Sequence, residues 1–99
     1  MVRIAVDREK IAEFCRKWGI KELSLFGSVL RDDFRADSDV DVLVVYEERV
    51  EKDFHAYMEA VEELKQMFGR EVDLVEKSAI QNPFRRHHIL NNREVVYAP

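Results

Sequence analysis

The sequence predicts an α/β fold of the α+β kind: a small mixed β-sheet with helices on one face and an acidic patch on the other. Two observations carry that reading. Apolar residues recur at helical spacing from Ile11 to Trp18 and from Phe54 to Phe68, while Glu22–Phe26, Asp39–Val45 and Glu71–Glu76 alternate as strands do. The longer helical stretch lies between two strand stretches, the arrangement of a crossover joining parallel strands.

Taken in order, Asp7 precedes the stripe Ile11, Phe14, Cys15, Trp18, and Gly19 follows as a stop. Cys15 lies on the stripe and reads as a small buried hydrophobe rather than a reactive thiol. The strand Glu22–Phe26 is broken by Gly27 and Ser28, where a short helical turn begins. Residues 32–38 are polar and loop-like. In the second strand Val40, Val42 and Val44 share one face, and the other face begins with Asp39 and Asp41. Phe54, Tyr57, Met58, Val61, Leu64 and Phe68 trace the longest helix, capped by Gly69, and a stripe of that composition reads as core. The third strand sets Val72 and Leu74 against Glu71, Asp73 and Val75. Asn82 and Pro83 have the character of an N-cap and first helical position, opening a short helix through Leu90, and Glu94–Tyr97 forms a strand or an ordered tail.

A chain of 99 residues fits one domain, spanning residues 1–99. Its 36% charged residues exceed the roughly 25% of an average globular chain, and a net charge of -4 has the wrong sign for holding nucleic acid by phosphate neutralisation, so no direct nucleic-acid binding is expected. The single cysteine and the absence of a long apolar stretch in residues 1–7 point to the cytoplasm. The longest apolar run, Val42–Tyr46, is far shorter than the roughly 20 residues of a membrane helix.

Carboxylates are depleted in strands and costly beside apolar neighbours unless something pairs with them. Asp39 and Asp41 lie two positions apart on one strand face, about 6.5–7 Å between α carbons. If the third strand runs beside the second, Asp73 joins them in one patch. Three carboxylates at close range repel, and a hard divalent ion, usually Mg²⁺, is the common remedy; it binds carboxylates together with substrate phosphates. The chemistry indicated is phosphoryl or nucleotidyl transfer, with two ions clamping the attacking and leaving oxygens. Gly27 allows a phosphate to approach the backbone, Ser28 offers a hydroxyl, and amides at the start of a helical turn favour an anion.

Gly27 and Ser28, ten intervening residues, then Asp39, Val40 and Asp41, with Asp73 on a later strand, resemble the signature of the minimal nucleotidyltransferase family. That family sits in the superfamily sharing the DNA polymerase beta type of palm. The resemblance spans nearly the whole chain, since Pro83, Phe84, Arg85, Ile89, Glu94 and Tyr97 also look like the family's C-terminal pattern. It implies a polymerase beta-like palm in which Asp39, Asp41 and Asp73 are catalytic and hold Mg²⁺, in two copies, while Gly27, Ser28, Arg31 and Ser38 bind the nucleotide, ATP. Many members carry Arg where this chain has Val29, and Gly where it has Asp32.

Blander readings fit less well. Asp37, Asp39, Asp41 and Glu48 partly match a calcium loop, which would need Gly where Val42 stands. A turn at Asp37 and Ser38 leading to a solvated strand end at Asp39 leaves Asp41 and Asp73 unexplained. Arg85, Arg86, His87 and His88 read as a solvated basic face whose charge helps offset the acidic patch, and His55 has no companion at metal-ligand spacing. A core this small leaves little room for an acceptor site. The resemblance implies an acceptor on another protein, because small stand-alone members look like antitoxins paired with a HEPN-domain ribonuclease toxin, onto a tyrosine of which they transfer AMP. The alternatives are transfer to a small-molecule hydroxyl, and an antitoxin that shields the ribonuclease without catalysis.

Overall fold

The Asp7 carboxylate accepts hydrogen bonds from the amides of Glu9 and Lys10, at 3.1 and 3.2 Å, satisfying donors that a helix start leaves open. Helix α1 (Arg8–Trp18) follows and ends at Gly19. The computed structural model describes residues 4–32, 34–35, 37–48, 50 and 53–99; Met1, Val2 and Arg3 of the N-terminal reading and Asp33 and Ala36 of the signature run lie outside them. Strand β1 (Ile20–Phe26) begins two residues before the expected Glu22, because Ile20 is buried and pairs with Tyr46. A 3-10 turn (Gly27–Leu30) leads through the polar loop to β2 (Val40–Tyr46). Then come α2 (Phe54–Phe68), β3 (Val72–Glu76), a second 3-10 turn over 77–79, α3 (Pro83–Asn91) and β4 (Arg93–Tyr97). Asn82 caps α3 by accepting from the amides of Phe84 and Arg85.

The sheet order is β3-β2-β1-β4. β2 and β3 are parallel, joined by α2 as the crossover, and β1 is antiparallel to both its neighbours, so the sheet is mixed. The last segment is therefore a strand. It is pinned by Arg93, whose guanidinium donates to the Glu22 carboxylate and to the fully buried Ser24 hydroxyl.

Alternation decides which face each residue serves. Leu23, Leu25, Val40, Val42, Val44, Leu74 and Val96 bury against Ile11, Phe14 and Cys15 of α1 and Ala60, Val61 and Leu64 of α2. Each fully buried aliphatic side chain contributes on the order of 1.5–3 kcal/mol. Two polar ties lock the layers: Trp18 Nε1 donates to Glu63 at 2.6 Å, and the Tyr57 hydroxyl donates to the Leu74 carbonyl at 2.8 Å.

The two long helices thus share one face. The short α3 lies across the other, where Ile89 and Ile80 pack on Phe26 and Leu43. That smaller cluster covers only part of its face, where Asp73 stays exposed and Asp41 half-buried. Among the described residues no helix is long and apolar enough to cross a membrane.

Candidate active site

Asp41 and Asp73 are register partners across the parallel β2–β3 ladder, and on its other side Asp41 pairs with Phe26. Directly paired residues share a sheet face. The two carboxylates therefore stand side by side on the face opposite the long helices. Asp39 lies one residue before β2 and is exposed, as is Asp73, whereas Asp41 is half-buried.

Above Asp41 the chain turns at Gly27, which has φ +75°. A Cβ at this position would fall on the Asp41 carboxylate, 3.2 Å from its carbon. Only glycine fits, on grounds of both dihedral and space. Ser28 follows in the 3-10 turn, and its carbonyl accepts from the Arg31 amide at 2.9 Å. Val29 is fully buried in the main core and serves packing.

Electrostatics marks Asp41 out. Burial, then the charges of Asp73 and Asp39, hold its carboxyl above the ordinary value, while Arg31 and Arg85 pull it back. Asp41 thus feels both other acids, and two cations oppose them. Asp73 also acts on its other side: burial and its charge raise the Tyr57 phenol.

Among the described residues, no group of three or more His, Cys, Asp or Glu side chains stands ready to hold a metal ion by itself. The donor chemistry still suits a hard divalent ion, since Mg²⁺ needs only one or two carboxylates and completes its shell with water and substrate phosphates. A patch of mutually repelling carboxylates is the counterpart such an ion requires.

Ser38 is engaged within its own loop: its hydroxyl accepts from the Arg35 amide at 3.0 Å. Asp37 is an exposed turn residue, and Val42 is buried in β2 (Val40–Tyr46), so a strand runs through the middle of the stretch from Asp37 to Glu48 and it is no calcium loop. His55 pairs with Glu59 on α2 at 2.8 Å, and His87 and His88 are exposed on α3.

One residue escapes the sequence reading, and another follows it. Arg85, read there as part of a solvated face whose charge helps offset the acidic patch, is near enough to lower the pKa of Asp41. Arg70 donates to the carbonyls of Arg35 and Ser38, at 2.7 and 3.3 Å, bracing the loop that ends in Asp39.

Comparison with known proteins bears on this site as a whole. The protein adenylyltransferase MntA of Thermococcus cleftensis is 36% identical over 85 residues, covering 86% of this chain and 81% of the relative. A chain of a toxin–antitoxin crystal structure with AMP-PNP has a TM-score of 0.74 at 20% identity, covering 95% of this chain and 75% of the other. A chain of the complex between tri-AMPylated Shewanella oneidensis HEPN toxin and MNT antitoxin has a TM-score of 0.66 at 19% identity, covering 93% and 70%. These two likenesses establish the fold. The family model described as nucleotidyltransferase domain matches residues 8–96, from the first residue of α1 to the buried Val96 of β4. All three acids lie inside that span, and the chain belongs to the nucleotidyltransferase domain family and is a nucleotidyltransferase.

Proposed function

We propose that this nucleotidyltransferase transfers AMP from ATP to a tyrosine of a HEPN-type toxin, acting as the antitoxin of the pair. The observation that carries the proposal is the pairing of Asp41 with Asp73 beneath Gly27, with Asp39 adding its charge. The relative named protein adenylyltransferase and the toxin–antitoxin complexes with AMP-PNP and with an AMPylated HEPN toxin support the acceptor and the nucleotide.

Asp39, Asp41 and Asp73 would hold Mg²⁺. Bound there, the ion supplies positive charge to the attacking and leaving oxygens. Gly27 leaves space for a phosphate to come close to the main chain, and the Ser28 hydroxyl and the Arg31 guanidinium donate to phosphate oxygens. Ser38 serves the nucleotide through the loop it closes. The phenol oxygen of the acceptor tyrosine attacks the α-phosphorus, pyrophosphate leaves, and a carboxylate oxygen of Asp73, exposed on the third strand, accepts the phenol proton. No acceptor pocket is needed on this chain, because the acceptor arrives on its own protein.

The test is incubation of the purified chain with its HEPN partner, Mg²⁺ and ATP labelled at either the α- or the γ-phosphate. Transfer of α-label alone to the partner, abolished by a tyrosine-to-phenylalanine change in the acceptor, is expected. Tight binding of the partner without label transfer would replace this reading with a non-catalytic shield.

A further inference from the structure

Asp39 lies outside β2 and is exposed, yet both peptide planes flanking it are held. The plane before it is fixed through the Ser38 carbonyl, which accepts from the Arg70 guanidinium at 3.3 Å, and the same guanidinium donates to the Arg35 carbonyl at 2.7 Å. The plane after it is fixed through the Val40 amide, which donates to the Glu71 carbonyl at 2.9 Å. With only two soft dihedrals per residue, holding the planes on both sides of one α carbon settles where its Cβ points.

The guanidinium is itself immobilised. It lies 4.4 Å from the centroid of the Phe34 ring, and Phe34 packs on the main core. The loop between them closes on itself, the Ser38 amide donating to the Arg35 carbonyl at 3.1 Å. Consecutive residues 70 and 71, entering β3, therefore grip the chain on either side of Asp39 just as it enters β2.

We infer that Arg70 is a positioning residue that aims Asp39 at the cation shared with Asp41 and Asp73. The inference rests on the proposed role of Asp39 in holding that cation. Lysine is a poor substitute, because a point charge on a flexible stem cannot bridge two carbonyls while stacking on a ring. The consequence is that the third arm of the cation site, Asp39 just before β2, is held in place by the segment that starts β3.

The test is titration of the full chain with Mn²⁺, followed by electron paramagnetic resonance, with an ATP analogue carrying a methylene between the α- and β-phosphorus atoms. Arg70→Gln is expected to weaken Mn²⁺ binding about tenfold, or about 1.4 kcal/mol, and Arg70→Lys by less. Phe34→Leu, which keeps apolar packing and removes the ring, is expected to shift affinity the same way. In an Asp39→Asn background Arg70→Gln should cause no further loss, since the group being aimed is gone. A further tenfold loss there, or unchanged affinity in folded Arg70→Gln, would overturn the inference and leave the proposed function standing. If Asp39→Asn alone binds Mn²⁺ and transfers AMP as the wild type does, the role of Asp39 fails and the inference falls with it.

Discussion

Asp41 and Asp73 occupy matched positions on adjacent parallel strands, so their carboxylates share one sheet face with no residue between them. On a surface open to water such a pair would cost little. Here Asp41 is half-buried, and burial is the largest reason its carboxyl resists ionisation. The fold thus keeps a charge arrangement that works against its own stability, as functional sites often do.

Asp41→Asn should leave the fold intact and raise the stability of the metal-free chain at neutral pH. The folded-state pKa of Asp41 is raised, so between the unfolded and folded values the folded state holds more protons than the unfolded one. Stability then falls as pH rises through that window, and the cost is full above it. The advantage of Asp41→Asn should therefore shrink on acidification and vanish below about pH 3.9, the ordinary aspartate value. Denaturant unfolding across pH checks this; an unfolded variant would make Asp41 structural.

Mg²⁺ should reverse the sign of that comparison. A ligand bound only by the folded state at one hundred times its dissociation constant stabilises by about 2.7 kcal/mol. Thermal melts with Mg²⁺ and ATP are expected to show a rise in Tm for the wild type and little for Asp41→Asn or Asp73→Asn. Chelation should return the wild type to its metal-free Tm.

Gly27→Ala meets two obstacles at once: a positive φ, and a Cβ lying on the Asp41 carboxylate. A cost of roughly 1–3 kcal/mol in stability is expected, with loss of AMP transfer because Asp41 must swing aside. Ser28→Ala, which keeps the backbone turn, should lose far less activity. Parallel unfolding and transfer assays on the two variants separate strain from hydroxyl chemistry.

Cys15 is fully buried in the main core, and burial pushes its thiol up to about 12. The native chain should fail to react with a disulfide reagent at pH 8 and should react stoichiometrically once unfolded in denaturant. Rapid labelling of the native chain would place Cys15 at the surface.

Much of this fold was legible because local chemistry announces it. Asp7 and Asn82 are caps with their own hydrogen bonds, Gly19 and Gly69 end the long helices, and the valines at 40, 42 and 44 reveal the buried face of β2. The face taken by α3 was not legible. Its seat is made of Phe26, Leu43, Ile80 and Ile89, scattered over the chain and apolar for reasons no single periodicity displays. The three acids stood out because aspartate in an apolar strand demands a partner. Arg70 did not, because its partners are main-chain carbonyls, one of them 35 residues away, and a backbone acceptor leaves no trace in the residue code.

Anomalous diffraction from crystals grown with Mn²⁺ and the α,β-methylene ATP analogue tests the account most directly. Manganese density among the carboxylates of Asp39, Asp41 and Asp73, with the analogue's phosphates beside Gly27 and Ser28, is the predicted result. Ordered nucleotide with its manganese bound away from these three carboxylates would contradict it.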